Sequence, residues 1–500
     1  MNDSKNYSME QEIFEQVKQN RSIKINPELS NPNQLENIEQ FYVNLKDHKD
    51  FDSEVLIFGD YDVDGIFGSF MLYDYLVEQG YNAQVINSNR KYGYSISDNE
   101  IDDILEYEFD LVIMIDCGIS SHKEIQRLKE NGVDVMVIDH HLQDNPPEVI
   151  WINPKIDNSY PFGQLCGAGV VYQIINYQTK PADKYLQLAC IATIADLTPL
   201  QGDNRWIVKK GLESLNTLDY KPLSVLANVM DVDEWSVGNI AFKIAPAFNA
   251  VNRLEFNTSP LELLMGKNLK ENAEKLVEYN ERRKDIVKNA LEEVEVSDEQ
   301  NIIIYKGNFV KGVTGLIASE IKKEYNKPAI AINQNNYGSG RSISPLHITN
   351  ALKGREKLFE SVGGHKQACG FSLKEGKIEE LKDYLYEKTE GIEYKEREVD
   401  YTFNSTEYIN EELYNKLQIL SPFGIGNPRP YFKISNQYLD NFRTTKTGEH
   451  LLITLNGIDG IFFNYDKDIN YRKKLDIWFN IGYNDFRNGI QIKVKKVEGV

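Results

Sequence analysis

The chain has 500 residues, of which 41% are hydrophobic and 26% are charged, and this composition excludes a disordered chain and predicts about two to four globular domains. Lys and Arg number 56 against 76 Asp and Glu, which gives a formal charge of −20. Taken alone, this charge argues against a nucleic-acid partner, because polyanions are held by basic patches.

The cysteines and the amino terminus indicate the compartment. The four cysteines show no spacing typical of a metal or redox motif, so we expect free thiols in a reducing environment. The polar amino terminus lacks the order of a signal peptide, and no apolar run approaches the ~18 residues that span a bilayer. We therefore expect a cytoplasmic protein without a membrane segment.

The first part of the chain alternates apolar strands with amphipathic helices. Its predicted elements are buried strands at 54–60, 83–89, 110–116 and 134–139, and helices near 66–80, 97–107 and 121–131. This alternation is typical of a parallel α/β sheet with helices on both faces.

The rest of the chain predicts three further regions. A long polar helix covers 261–296, a smaller α/β unit starts at 301, and the last hundred residues have short β-like runs with turn signals typical of a small barrel. The predicted domains are 1–260 with an amino-terminal extension and a parallel sheet, a connecting helix at 261–297, a smaller α/β domain at 298–394, and a β-barrel at 395–500 that resembles an oligonucleotide-binding (OB) fold.

Acidic and histidine side chains follow the predicted strands and one apolar helix. They are Asp60, Asp62, Asp64, Asp116, Asp139, His140, His141 and Asp196. A single aspartate in such a place is usually a helix cap or a turn residue. Several at one sheet edge repel each other unless cations neutralise them, and carboxylates with imidazole suit Mn²⁺ or Mg²⁺. The sequence therefore predicts a two-metal hydrolytic site, which does not include Cys117.

In this order, the motifs resemble the four motifs of the DHH phosphoesterase superfamily. The resemblance implies two ligand sets that share Asp116: one with Asp60 and Asp62, the other with Asp64, His140 and Asp196. It also implies a metal pair that activates water for attack on phosphorus. By the same resemblance, His141 would contact phosphate or donate a proton, and Asp139 would orient the imidazoles.

Two glycine-containing motifs, GSGRS at 338–342 and GGH at 363–365, resemble the signatures of the DHH-associated domain. The residues expected to contact phosphate there are Gly340, Arg341, Ser342, Gly364 and His365. The glycines would admit a phosphate, the serine would offer a hydroxyl and the arginine a bidentate fork, while the histidine would contact the scissile phosphate or the leaving group. Two glycine turns with polar surface residues are the alternative.

Three more elements narrow the resemblance to the RecJ single-strand exonucleases. Residues 246–253 resemble the P-x-x-N-A-x-G-R element of that family, residues 280–283 its N-x-x-R sequence, and residues 422–430 the entry to its OB barrel. The resemblance implies DNA contacts by Asn249, Arg253 and Arg282. Two positions depart from the family pattern, since Asn252 replaces a glycine and Val310 replaces a histidine.

The carboxyl-terminal segment is locally basic and rich in aromatic residues. Residues 413–500 hold 13 Lys or Arg against 8 Asp or Glu, and Lys433, Arg443 and Arg472 are expected to contact the DNA backbone. Basic barrels follow single strands by stacking bases on aromatic rings, at ~1–3 kcal/mol per base. Rings that either stack bases or fill the barrel core are Phe423, Tyr431, Phe432, Phe442, Phe462, Phe463, Tyr465, Tyr471, Trp478, Phe479, Tyr483 and Phe486.

The resemblance as a whole implies an exonuclease that depends on two divalent cations, Mn²⁺ in preference to Mg²⁺. It would degrade single-stranded DNA from the 5′ end to 5′-mononucleotides in recombination and repair. It also implies a monomer and leaves room for a helicase or a single-strand-binding protein as partner. The residues alone support phosphodiester hydrolysis, so a phosphodiesterase of short oligonucleotides or cyclic dinucleotides is the alternative. An inactive scaffold is disfavoured, because every acidic position is present.

Overall fold

The computed structural model describes residues 8–89, 96–217, 219–254, 259–296, 300–392, 394, 397–484 and 487–500. Contacts divide the chain into two compact units, a larger one of Ser30–Asp196 and Lys210–Glu396, and a smaller one of Met1–Leu29, Leu197–Lys209 and Arg397–Val500. In the described part of the chain, every helix is too short or too polar to cross a membrane. The four predicted domain boundaries stay a prediction.

Helix α1 (Met9–Gln19) belongs to the smaller unit, and the larger unit starts with a doubly wound α/β domain. Its elements are α2 (Ile38–Asp50), β1 (Glu54–Gly59), α3 (Val63–Glu78), β2 (Asn82–Asn87), α4 (Asp98–Glu106), β3 (Leu111–Ile115), α5 (His122–Glu130), β4 (Asp134–Ile138), β5 (Ile150–Ile152), α6 (Gly167–Gln178) and α7 (Asp183–Ala195). The strands pair in parallel in the order β2-β1-β3-β4-β5.

This strand order places a topological switch point between β1 and β3, where ligands of open α/β sheets bind. Strand β3 is buried along its whole length, because helices cover both faces of the sheet. Strand β2 forms as predicted, but the expectation that it is buried is wrong. It lies at the edge of the sheet, and its residues alternate between exposed and half-buried.

Helices connect this domain to the second sheet of the larger unit. They are α8 (Gly202–Leu215), α9 (Lys221–Val229), α10 (Val237–Asn239), a π-helical turn (Ile240–Ile244), α11 (Ala245–Arg253), α12 (Pro260–Leu264) and α13 (Leu269–Glu292). The prediction of one continuous helix over 261–296 is wrong. Gly266 and Asn268 take left-handed φ values of 78° and 42°, which ends α12 and restarts the chain as α13.

The second sheet forms the smaller α/β domain. Its elements are β6 (Ile303–Gly307), α14 (Thr314–Tyr325), β7 (Ala329–Asn333), β8 (Tyr337–Arg341), α15 (Ile348–Lys353), β9 (Phe359–His365), β10 (Ala368–Leu373) and α16 (Ile378–Thr389). The strands follow the order β6-β7-β8-β10-β9. Ala290 of α13 joins the apolar cluster that contains Ile317 of α14, so α13 packs on this domain.

The smaller unit is a seven-stranded β-structure with residues from three parts of the chain. Its carboxyl-terminal elements are β11 (Tyr401–Phe403), α17 (Glu411–Gln418), β12 (Phe432–Gln437), β13 (Asn441–Thr444), β14 (His450–Leu455), β15 (Ile458–Phe463), β16 (Leu475–Asn484) and β17 (Gly489–Gly499). In this unit the strands follow the order β11-β12-β16-β17-β15-β14-β13. Ile13, Phe14 and Val17 of α1 belong to its apolar core. The fully buried Arg205 donates to the carbonyls of Ile25 (3.2 Å), Ser421 (2.6 Å) and Pro422 (3.4 Å).

Candidate active site

The loop between β1 and α3 carries three aspartates. Asp60 follows the last residue of β1, Asp62 precedes α3, and Asp64 lies in the first turn of α3. Oδ1 of Asp62 accepts the backbone N–H of Asp64 at 2.9 Å and caps the helix. The carboxylate of Asp64 accepts the N–H groups of Gly167 (2.6 Å) and Ala168 (2.8 Å) at the start of α6. Free N–H groups at a helix start stabilise a carboxylate, so two helices fix this loop.

Asp116 lies at the other side of the switch point. It follows β3 with a left-handed φ of 60°, a conformation that costs a non-glycine residue about 1–3 kcal/mol and is concentrated at functional sites. Its side chain is buried, and its Oδ1 accepts no hydrogen bond from the described residues, although Nε2 of His140 lies 3.1 Å away. A buried carboxylate oxygen without a donor is costly, and a cation would satisfy it.

His140 connects the remaining ligands. Its Nε2 lies 3.7 Å from Oδ2 of Asp64 and 3.9 Å from Oδ2 of Asp196, which caps the carboxyl end of α7. The neighbouring His141 places Nδ1 2.7 Å from Oδ1 of Asp139 and 3.9 Å from Oδ1 of Asp116. The ring of His140 therefore faces the carboxylates, and the ring of His141 is held by Asp139.

These side chains form three groups whose ligand atoms lie within 4.8 Å of one another. The groups are Asp60, Asp62 and Asp116; Asp64, His140 and Asp196; and Asp116, His140 and His141. All six predicted ligands thus come together at the sheet edge. The third group adds an arrangement that the sequence did not predict, since His141 is also close enough to be a ligand.

Burial and mutual repulsion raise the pKa values of the carboxyl groups. Burial first, and then the charge of Asp62, raise the pKa of Asp60 to about 8. Burial and the charge of Asp64 raise the pKa of Asp116 well above its usual value, and the same causes raise that of Asp196. Without cations, this cluster therefore disfavours the charged carboxylates. Carboxylate and imidazole donors fit Mn²⁺ or Mg²⁺, which would stabilise the charged forms.

The two histidines have opposite pKa shifts. Burial lowers the pKa of His140, which favours the neutral imidazole that binds a metal. Burial also acts to lower the pKa of His141, but the hydrogen bond and charge of Asp139 outweigh it and raise the pKa. Asp139 itself accepts the backbone N–H groups of His140 (2.6 Å), His141 (3.0 Å) and Ile119 (3.1 Å). It therefore holds the ring of His141 and the backbone of both histidines, while the thiol of Cys117 lies in a separate apolar cluster.

Helix α11 contacts the aspartate loop. Oδ1 of Asn249 accepts the N–H of Val63 at 3.2 Å, and Nδ2 of Asn252 donates to the carbonyl of Tyr61 at 2.6 Å. Nη1 of Arg253 donates to the carbonyl of Gly312 at 3.1 Å. The sequence does not predict the contact of Asn252 with Tyr61, and Asn252 lies inside a regular helix that needs no glycine backbone. Contacts of Asn249 and Arg253 with DNA stay a prediction.

The glycine motifs of the second sheet have packing roles. A Cβ at Gly340 would lie 2.6 Å from Sγ of Cys369, so the strand needs a glycine there. Ser342 is buried, and its hydroxyl donates to the carbonyl of Leu346 at 2.9 Å. Gly364 takes a φ of 137°, which favours glycine. The structure thus gives each of these three residues a structural role. Contacts with phosphate at these positions stay a prediction.

The other residues of the larger unit that are predicted to contact phosphate or DNA are exposed or half-buried. Arg341 is half-buried, and a Cβ at Gly315 would lie 2.6 Å from its Nη2, so the guanidinium covers the first turn of α14. His365 is exposed at the end of β9, and Arg282 is exposed on α13. The first turn of α14 and the residues just before it therefore contact Arg341 and Arg253.

The basic candidates of the smaller unit differ in their surroundings. Lys433 forms an ion pair with Asp476 at 2.6 Å and lies 4.3 Å from the ring centroid of Trp478. Arg443 is exposed, forms no ion pair with any residue that the structure describes, and lines a pocket of about 330 Å³. Arg472 is exposed as well. Arg443 and Arg472 are thus more accessible to a ligand than Lys433.

Several aromatic residues of this unit fill its core. Those buried in the apolar cluster are Phe423, Phe432, Phe462, Tyr471 and Phe479. Phe463 is 50% exposed and lies edge-on to His450, with ring centroids 5.0 Å apart. Phe486 lies outside the described residues. Among the predicted stacking rings, Phe463 is therefore a solvent-facing one.

Comparisons with known families cover most of the chain. The description "DHH family, N-terminal domain" matches residues 54–194, "DHHA1 domain" matches 299–391, and "RecJ OB domain" matches 399–496. The parallel α/β domain, the smaller α/β domain and the carboxyl-terminal OB-type domain are thereby confirmed as the fold class.

Several similar proteins are named RecJ. The single-stranded-DNA-specific exonuclease RecJ of Bacillus subtilis is 32% identical over 446 residues, which are 82% of this chain and 56% of that protein. The RecJ of Haemophilus influenzae is 27% identical over 94% of this chain and 92% of that protein. A crystal structure of RecJ from Thermus thermophilus with Mn²⁺ matches with a TM-score of 0.82 and 25% identity, over 93% of this chain and 72% of that one. The chain thus spans about half the length of the Bacillus relative.

Proposed function

We propose the function of this chain from one premise: it belongs to the DHH family and, within it, to the RecJ group, whose three domains it carries. The proposed function is the hydrolysis of phosphodiester bonds in single-stranded DNA from the 5′ end, with release of 5′-mononucleotides, in recombination and repair. The observation that carries it is the convergence of Asp60, Asp62, Asp116 and the group of Asp64, His140 and Asp196 at one sheet edge.

Two divalent cations at these groups would neutralise the phosphate and lower the pKa of a water molecule. The residues around them have separable tasks. Asp139 holds Nδ1 of the His141 ring, which leaves Nε2 of the same ring to contact phosphate or donate a proton. The raised pKa of His141 keeps that proton available near neutral pH. Arg341 and Arg253, which both lie close to the start of α14, would bind the phosphates of the strand.

We assign Mn²⁺ as the preferred cation and Mg²⁺ as an alternative. The donor set supports either ion, since carboxylates and imidazole bind both. Similar structures contain Mn²⁺ or Mg²⁺, which supports a divalent cation at this site, and the preference for Mn²⁺ is the part that a direct comparison tests. The test is a titration of activity with each ion under otherwise equal conditions, and higher activity with Mg²⁺ at every concentration would contradict it.

The acidic chain would bind DNA through a basic surface of the OB-type domain. The exposed Arg443 and Arg472 and the half-exposed ring of Phe463 support this assignment. We further propose a monomer that works with a helicase or a single-strand-binding protein. A cytoplasmic location agrees with four buried cysteines that form no disulfide with any residue that the structure describes.

A labelled-strand assay tests the proposed activity. Single strands labelled at the 5′ or the 3′ end are incubated with Mn²⁺ beside a matching duplex. We expect the 5′ label to appear at once as mononucleotide, the 3′ label to pass through shortening products, and the duplex to persist. Equal degradation of the duplex, or release of the 3′ label first, would contradict the proposal. Hydrolysis of dinucleotides alone would favour the small-nucleotide alternative.

A further inference from the structure

The peptide between Tyr61 and Asp62 separates the two aspartates of the first ligand group. Asp60 and Asp62 are two residues apart, so the orientation of this peptide sets the distance between their carboxylates. The backbone of Asp62 is extended, with φ −95° and ψ −178°, and its Oδ1 caps α3. The carbonyl of Tyr61 is therefore the point at which another residue can fix the spacing of the two ligands.

Asn252 contacts this carbonyl. Its Nδ2 lies 2.6 Å from the oxygen of Tyr61, across 191 residues of sequence. The neighbouring backbone groups of the loop also form hydrogen bonds with side chains from other elements. Nδ2 of Asn87 donates to the carbonyl of Asp60 at 2.9 Å, and Oδ1 of Asn249 accepts from the N–H of Val63 at 3.2 Å. Three asparagine amides thus hold three consecutive parts of the loop.

Helix α11 is itself held firmly, so its amide is a fixed anchor. The rings of Phe248 and Phe67, both fully buried, pack edge to face with centroids 4.9 Å apart. At the other end of the helix, Arg253 donates to Gly312, and a Cβ at Gly312 would clash with the backbone of Arg253. The position of Nδ2 of Asn252 is therefore set by packing at both ends of the helix.

We propose that Asn252 is a positioning residue for the metal that Asp60 and Asp62 would hold. This inference rests on the proposed two-metal site. Through the carbonyl of Tyr61, the amide keeps the two carboxylates at the spacing that a divalent cation needs. It touches neither metal nor substrate, so its loss changes the affinity for the cation at this ligand group and leaves the group of Asp64, His140 and Asp196 intact.

Mn²⁺ titrations of the full chain by calorimetry test the proposal. The variants are Asn252→Ala and Asn252→Leu, which both remove the donor, while leucine keeps a similar length. The control is Asn301→Ala, because Nδ2 of Asn301 also donates to a distant carbonyl, that of Thr389, at 2.9 Å in the second sheet domain. Loss of a contact that orients metal ligands typically weakens binding about 10–100-fold.

We expect about tenfold weaker binding of one Mn²⁺ in both variants, with the other Mn²⁺ and the control within about twofold of the wild type. The Mn²⁺ concentration for half-maximal activity should rise by the same factor, and activity should return at high Mn²⁺, which a general loss of structure would not produce. Unchanged titrations would overturn the inference, as would failure of both variants to fold in Mn²⁺. A wild type that binds no Mn²⁺ would overturn the proposed function instead.

Discussion

Nε2 of His140 lies 3.1 Å from Oδ1 of Asp116, and the two residues follow the adjacent strands β4 and β3. Asp116 also belongs to the ligand group of Asp60 and Asp62, while His140 belongs to that of Asp64 and Asp196. This pair therefore joins the two proposed cation positions. One substitution at Asp116 should affect both.

We expect Asp116→Asn to bind Mn²⁺ more than about 100-fold more weakly, since even residues behind the ligands cost 10–100-fold. Hydrolysis of single strands should fall below detection with the fold retained. The measurement is a Mn²⁺ titration together with a circular dichroism spectrum. Asp103→Asn is the matched control, because Asp103 is exposed on α4. Activity of Asp116→Asn close to that of the control would contradict the assignment.

The convergence of these ligands could be predicted from the sequence because it depends on short-range patterns. Apolar runs that end in aspartate predict parallel strands, and the carboxyl ends of such strands meet at one edge. The positions of Asp60, Asp116 and His140 follow from this rule alone. The same local reasoning failed at β2, since its apolar residues do not reveal that it lies at the edge.

The supports of the site could not be predicted, because they connect distant parts of the chain. Asn252 reaches Tyr61 across 191 residues, and the amide of Gly167 reaches Asp64 across 103. The run of small residues at 166–169 is a weak signal for the second contact, since a carboxylate needs room at a helix start. No local pattern indicates the first contact, which depends on how α11 packs.

The raised pKa values predict how stability depends on pH without metal. A carboxyl whose pKa is higher in the folded than in the unfolded state binds extra protons when folded, so its contribution is present at low pH and is lost as pH rises. The carboxyls with raised pKa values that act in this direction are Asp60, with a pKa of about 8, Asp64, Asp116 and Asp196. The raised pKa of His141 acts in the same direction, whereas the lowered pKa of His140 acts in the opposite direction.

We therefore expect the melting temperature in EDTA to fall between pH 6 and pH 8. Saturating Mn²⁺ should remove this fall, because the cation favours the charged carboxylates. Asp60→Asn should reduce the slope in EDTA, since it removes one of the titrating groups. Thermal melts at pH 6, 7 and 8 measure these effects. A melting temperature in EDTA that rises over this range would contradict the prediction.

Substitution of Gly338 by alanine should cause a packing defect rather than the loss of a phosphate contact. It pairs with Phe371 on β10, and an added Cβ would clash with the phenyl ring. We expect Gly338→Ala to lower the free energy of unfolding by about 1–3 kcal/mol, as overpacked cores do. Gly370→Ala is the control, because an added Cβ on this neighbouring residue meets open space.

A double variant separates crowding from other causes. Phe371→Leu in the background of Gly338→Ala should recover part of the lost stability, since the smaller side chain leaves room for the methyl group. Urea unfolding of the two single variants and the double variant measures the coupling. Strictly additive losses would show that the ring is not the cause.

The surroundings of two basic residues predict different effects on DNA binding. Arg443 has no ion-pair partner among the described residues, whereas Lys433 is paired with Asp476 and covers Trp478. Arg443→Gln should weaken binding of a single strand and reduce the slope of log K against log salt by about 0.7, the value for one phosphate contact. Lys433→Gln should change the slope less. Fluorescence anisotropy at several salt concentrations compares the two variants. An equal change of slope in both would contradict the view that Arg443 contacts phosphate and Lys433 does not.

Arg205 connects the three segments of the smaller unit, so its substitution should lower the stability of this unit. Its buried guanidinium donates to three backbone carbonyls, and burial lowers its pKa. Arg205→Met should lower the free energy of unfolding by about 1–3 kcal/mol, the cost of leaving buried acceptors without their donor. Lys210→Met, at an exposed position on the same helix, should stay within about 0.5 kcal/mol of the wild type. Urea unfolding measures both, and equal stabilities would contradict the role of Arg205.

The packing of α1 into the smaller unit also determines when this unit can fold during synthesis. Gln11 of α1 accepts a hydrogen bond from Lys416 of α17, 405 residues later. At about 5–20 residues per second, a ribosome needs roughly 20–80 s to make that stretch. For this time Ile13, Phe14 and Val17 have no partner surface, while the α/β domains between them and the barrel can already fold. Helix α1 is thus made long before the residues that bury it, and its apolar face stays exposed until the carboxyl-terminal segment has been synthesised.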